Sequence, residues 1–143
     1  MAGLKPGDRL IFDGADHVVT AVVIGRADRL NFRQVTMRPE LGGDEVRLLQ
    51  VEDLGFFEVE ATNAAALDGE AVEVAAISFE RRWQAEVRTE SAATGGRARF
   101  SRGRCAWYKS DGGAVAVRVM GHNEDYALLG RPLEPTRIDL RYT

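Results

Sequence analysis

The chain contains one cysteine, Cys105, and two histidines, His17 and His122. A lone thiol cannot close an internal disulfide, and it agrees with a reducing compartment. So few soft or imidazole ligands argue against a structural zinc site, and no metal is expected. Long apolar runs are also missing. The longest, Val18 to Ile24, is interrupted by Thr20 and falls far short of the ~20 residues a membrane-crossing helix needs. The opening Met1-Ala2-Gly3-Leu4-Lys5-Pro6 has neither a basic n-region nor an apolar h-region, so the expected location is the cytoplasm. There is no G-x-x-x-x-G-K-[ST], strand-linked G-x-G-x-x-G, H-E-x-x-H or G-x-S-x-G. The phosphate-cradle, dinucleotide, zincin and hydrolase-elbow readings therefore lose their usual support, and neither a cofactor nor catalytic residues are expected. The net charge of −3 gives no general attraction to nucleic acid or anionic lipid.

What the sequence does have is period-two alternation between turn signals. Trp83-Gln84-Ala85-Glu86-Val87-Arg88 places apolar and polar residues on opposite faces of a strand. Glu45 to Glu52 alternates with one slip at Leu48-Leu49, which fits a β-bulge or a strand buried on both sides. Asp13-Gly14, Gly42-Gly43, Gly95-Gly96 and Asp111-Gly112-Gly113 supply reversals. Pro6, Pro39, Pro132 and Pro135 fall outside the expected strand interiors, where proline is tolerated.

The pattern occurs twice. The first copy reads Arg9 to Phe12, His17 to Ile24, Leu30 to Met37, Glu45 to Glu52 and Phe56 to Glu60. The second reads Ala75 to Phe79, Trp83 to Glu90, Gly103 to Lys109, Ala114 to Met120 and Tyr126 to Leu129. Aligning Phe12 with Phe79, Gly43 with Gly113 and Phe56 with Tyr126 gives offsets of 67, 70 and 70 residues. The expected fold is all-β: an antiparallel barrel, or two small packed barrels or sheets from an internal duplication, with a β-sandwich as the alternative. Residues 1–62 form the first unit and 71–143 the second, together one compact domain. Between them, 63–70 is a linker with room for one short helix, capped by Thr62 or Asn63 and stopped by Gly69.

Strand alternation places Cys105 and Trp107 on one face of their strand and Arg104, Ala106 and Tyr108 on the other. A buried core role for the thiol follows, since no base is spaced to activate it. His17 and His122 read as ordinary polar or turn residues. Glu58, Glu60, Glu70, Glu73, Glu80, Glu86 and Glu90 read as a solvated face. One segment has functional character: residues 97 to 109 carry five basic residues, no acid and three aromatics. Arg97, Arg99, Arg102 and Arg104 can pair with anions, while Trp107 and Tyr108, if exposed, can stack on unpaired bases. The same charges can equally form a solvated basic edge that pairs with neighbouring glutamates and blocks aggregation.

The opening Leu4 to Gly14 followed by Val18-Val19, and later Trp83 to Val87, Trp107-Tyr108 and Asp125-Tyr126 to Gly130, resemble the two halves of a bacterial family of β-rich domains of unknown function. The resemblance implies an accessory or interaction role near membrane or small-metabolite systems, and no catalytic residues. The leading expectation is therefore a non-enzymatic interaction module whose partner is a protein or a second copy of itself. The alternative is a barrel that binds single-stranded nucleic acid through residues 97–109.

Overall fold

The computed structural model describes residues 3–28 and 30–139, and strands dominate them. The first five strands are β1 (Arg9–Phe12), β2 (Ala15–Ala27), β3 (Asn31–Pro39), β4 (Val46–Val51) and β5 (Gly55–Thr62). The next five are β6 (Ala71–Val74), β7 (Ile77–Ala93), β8 (Arg99–Lys109), β9 (Val115–Gly121) and β10 (Asp125–Pro132). A two-residue strand β11 (Ile138–Asp139) follows. Every pairing is antiparallel, in the order β11-β1-β2-β3-β4-β5-β10-β9-β8-β7-β6. A further β2–β7 pairing closes the eight strands from β2 through β5 and β10 back to β7 into a ring. The all-β, barrel-like architecture is thus the one that the alternation predicts.

Closure depends on two register shifts. The first half of β2 pairs with β1 through Ala15–Val18, and its second half pairs with β7 through Ala21–Ala27, with a shift at Thr20. In β7, Ile77–Glu80 pair with β6 and Val87–Ala93 with β2, with a shift at Arg82. An extra residue at each bulge bends the strand, so one edge can serve two partners. At the opposite seam, Phe57 pairs with Pro132 and Thr62 with Ala127, two pairs that exchange under a shift of 70 residues.

Ala75 to Phe79 is not a separate strand: Ile77 to Phe79 are the start of β7, and only Ala75 and Ala76 lie outside it. Ala75 and Ala76, at φ of 51° and 63°, form the two-residue turn between β6 and β7, just as Asp13 and Gly14, at 52° and 78°, do between β1 and β2. Both central residues at positive φ define a type I′ hairpin, which alanine does not advertise. Phe12 therefore corresponds to Val74, the residue before the turn, rather than to Phe79.

Leu48 and Leu49 make no bulge. They belong to different cores, and β4 is buried on both faces. One face looks into the lumen, filled by Phe32, Leu49, Phe57, Trp107, Val117 and Leu128 among others. The other looks into a lateral core with Leu10, Phe12, Val35 and Met37. A second lateral core gathers Phe79, Ala106, Tyr108, Ala116 and Leu129. The two connectors are exchanged between these cores. The segment after β5, with a 3₁₀ turn at Ala64–Ala66 capped by the Asn63 side chain, puts Leu67 into the second core. The segment after β10, with a 3₁₀ turn at Pro135–Arg137, puts Leu133 and Ile138 onto the first.

Candidate functional site

Only the Arg99–Arg102 part of the basic segment lies on a sheet edge, because β9 pairs with β8 from Gly103 to Lys109 alone. β8 is hydrogen-bonded to β7 on one side and to β9 on the other along much of its length. Its aromatics also divide. Trp107 and Tyr108 are each only 1% exposed, one in the lumen and one in the second lateral core. Neither can stack on a base, because strand alternation between two buried faces leaves them no solvent side. Tyr108 instead donates its hydroxyl to the Gly69 carbonyl at 2.8 Å. Trp107 stands edge-on to Phe32 with ring centroids 5.5 Å apart. Cys105 is buried beside it in the lumen, and burial pushes its thiol pKa up, away from a nucleophilic thiolate. Phe100, 77% exposed, is the one aromatic of the segment presented to solvent.

The arginines remain outside, and other strands add to them. Arg97 lies in the β7–β8 loop, and Arg99, Arg102 and Arg104 lie along β8, all exposed. Arg102 stands directly opposite Arg88 on β7, and Arg88 stands directly opposite Arg26 on β2. Three guanidinium side chains therefore rise from one face of three adjacent strands spaced about 4.8 Å apart. The flanking rows set Glu90 opposite Phe100 and Glu86 opposite Arg104. Together these residues border a groove of about 810 Å³ on the outer wall.

Electrostatics set this wall apart. Several arginines elsewhere find carboxylates, although Arg33 and Arg38 form no ion pair among the described residues: Arg118 grips Asp125 through two hydrogen bonds of 2.9 and 2.8 Å, Arg131 reaches Glu60 at 3.1 Å, and Arg137 chelates Asp13. Among the described residues, Arg26, Arg88, Arg97, Arg99, Arg102 and Arg104 form no ion pair within 4.0 Å. The basic edge paired with neighbouring glutamates is therefore not what forms. Like charges directly opposite one another oppose strand pairing, on the scale of roughly 0.2–1 kcal/mol for a cross-strand contact.

The structure brings Arg102 and Arg104 onto the wall, leaves Arg97 in the β7–β8 loop, turns Arg99 toward the barrel mouth and withdraws Trp107 and Tyr108 into the interior. It adds Arg26 and Arg88, which the sequence reading missed. Arg88 had one sequence signal, its place on the polar side of the alternating Trp83–Arg88 segment, whereas Arg26 had none, because it lies beyond the expected end of its strand at Ile24. No group of three or more His, Cys, Asp or Glu residues able to hold a metal ion occurs among the described residues. His17 is buried, its Nδ1 2.8 Å from the Ala15 carbonyl, while His122 lies exposed in the β9–β10 turn. No described helix is long and apolar enough to cross a membrane. Comparison of the chain with known protein families, with curated proteins and with solved structures finds no match.

Proposed function

We propose that this chain is a non-enzymatic interaction module that receives an acidic protein segment on the outer wall formed by β2, β7 and β8. The observation that carries this reading is the row Arg26, Arg88 and Arg102, three opposed arginines without a carboxylate within ion-pair distance among the described residues. An uncompensated row lowers the stability of the free protein, and a partner carrying negative charge relieves it. Phe100 beside the row supplies an apolar contact at the centre of a charged rim, the usual arrangement of a small interface. Single-stranded nucleic acid is the weaker reading, because successive bases need successive aromatic platforms and Phe100 stands alone on this wall. We also propose that the two five-strand meanders descend from one duplicated unit. The matched I′ hairpins and the exchange symmetry of the β5–β10 seam support this, as does the resemblance to a two-half β-rich family.

Titration of the purified chain with a poly-glutamate peptide and with oligothymidylate tests the assignment. The peptide should bind with an affinity that falls steeply with salt, and Arg88→Glu combined with Arg102→Glu should abolish the binding. Oligothymidylate should bind no tighter than about 10⁻⁴ M at physiological salt, the non-specific level. Micromolar binding of the oligonucleotide, lost in the same double variant, would hand the wall to nucleic acid. Binding of neither probe would remove the wall as a site.

A further inference from the structure

The lumen changes character along its length. At one end Leu30, Phe32, Val51, Phe57 and Trp107 fill it. Even the space over Gly25 is used there, since a Cβ built on it would lie 2.1 Å from the Phe32 ring. At the other end the inward positions of four strands carry short side chains, Val23 on β2, Ala61 on β5, Ser91 on β7 and Ser101 on β8, which cannot meet across the ring. They leave a cup of about 840 Å³, the size of pocket that holds a small organic molecule, and barrel mouths are a common place for one.

The cup is polar in a specific way. Gln34, Thr89, Ser91 and Tyr126 line it, and none of their side chains makes a hydrogen bond to a described residue. Thr89 is only 9% exposed and Tyr126 is half-buried. Burial, with Glu124 and Cys105 adding to it, pushes the Tyr126 phenol up to about 12, so its hydroxyl keeps its proton at ordinary pH and stays a donor. Three arginines, Arg47, Arg99 and Arg102, line the cup against one carboxylate, Glu124, which accepts from the Ser101 hydroxyl at 2.9 Å. Arg47 projects from the inner face of β4 and pairs only with Glu45, at 3.4 Å and open to water, a weak contact that leaves guanidinium donors unused.

We propose that the barrel mouth binds a small organic monocarboxylate. Its apolar body lies against Val23, Ala61 and Leu128, its carboxylate on Arg47, and the hydroxyls of Thr89, Ser91 and Tyr126 surround its polar end. The site is separate from the outer wall in its apolar floor and in Arg47, and shares with it Thr89 and the rim around Phe100 and Arg102.

The test is fluorescence titration of the full chain with anilinonaphthalene sulfonate, an apolar anion, followed by displacement with decanoate or decanol. Decanoate should displace the dye at a concentration at least about tenfold lower than decanol, since a charge-assisted contact to a guanidinium is worth that factor or more. Arg47→Gln should erase the difference between the two competitors. Ala61→Trp should weaken dye binding by about tenfold or more by filling the cup, and Ser91→Phe fills it from the opposite wall should the first variant not fold. The proposal is overturned if the wild-type chain binds no dye, if decanoate and decanol compete equally, or if a folded, filled variant binds the dye as the wild type does.

Discussion

The two lateral cores occupy matching places in the fold and are built by opposite means. The first spreads its volume over many medium-sized side chains, among them Leu10, Val19, Val35, Met37 and Leu48. The second contains Ala106, Ala114, Ala116 and Ala127, and concentrates its bulk in Phe79 and Tyr108. Their connectors are fastened differently too. The C-terminal connector adds charge to its backbone hydrogen bonds: Arg137 chelates Asp13, stacks over the Phe12 ring with its guanidinium carbon 5.1 Å from the centroid, and accepts from the Asp13 N–H at 3.0 Å through its carbonyl. The central connector is held to the second core through backbone carbonyls, which accept from Tyr108 at 2.8 Å (Gly69) and from Arg118 at 3.3 Å (Leu67). One topology thus tolerates two solutions, because close packing constrains total volume and polar satisfaction rather than residue identity.

The sharpest way to break this comparison is at Tyr108. If the second core depends on one large side chain, Tyr108→Ala should cost about 3–5 kcal/mol in denaturant unfolding, because the surrounding alanines cannot collapse into the void. Tyr108→Phe, which keeps the ring and loses the hydrogen bond to Gly69, should cost about 0.5–1.5 kcal/mol. Near-equal losses for the two variants would mean that the hydroxyl, and not the ring, holds the core.

A smaller effect is expected at the matched hairpins. Ala75 and Ala76 occupy the left-handed region, where alanine is strained by roughly 1–2 kcal/mol per residue. Replacing them with Asn-Gly should stabilise the protein by about 1–2 kcal/mol, while Gly14→Ala should destabilise by about 1 kcal/mol. Thermal or denaturant unfolding in which both changes are silent would mean that the flanking strands impose the turn whatever its residues.

The smallest expected effect is electrostatic and confined to the first core. The hydrogen bond from Arg137, ahead of its charge, holds the Asp13 carboxyl below the ordinary carboxylate range. A depressed folded-state value stabilises the protein above the unfolded carboxylate pKa, and that contribution disappears as pH falls through the folded value. Asp13→Asn keeps a turn-forming residue and removes the charge. The wild type should therefore exceed this variant in stability slightly at neutral pH, with the gap closing in acid. The pair is exposed to solvent, so added salt should shrink the gap as well. A gap that persists unchanged at low pH would show that the turn, not the ion pair, is responsible.

Local chemistry alone determined that the chain is built of antiparallel strands, where most of them run, and that Cys105 and Trp107 share one face while Ala106 and Tyr108 share the other. Alternation and turn residues are properties of a few neighbouring positions, so a single segment carries the full signal. The Leu48-Leu49 slip is intermediate: it marked β4 as unusual, but only the presence of a lumen on one side and a lateral core on the other decided that the strand is buried twice. The Ala75-Ala76 turn was hidden because alanine has no preference for the conformation it adopts there. Of the candidate sites, the β8 arginines Arg99, Arg102 and Arg104 were visible in the sequence as a basic segment, and the residues they meet belong to the tertiary structure. Alternation states which side of a strand is polar but not which strand lies beside it, because backbone pairing is blind to side-chain identity. The bulges at Thr20 and Arg82 bring β2 against β7, and only that contact sets Arg26 opposite Arg88 and closes a ring with Arg47 inside its mouth.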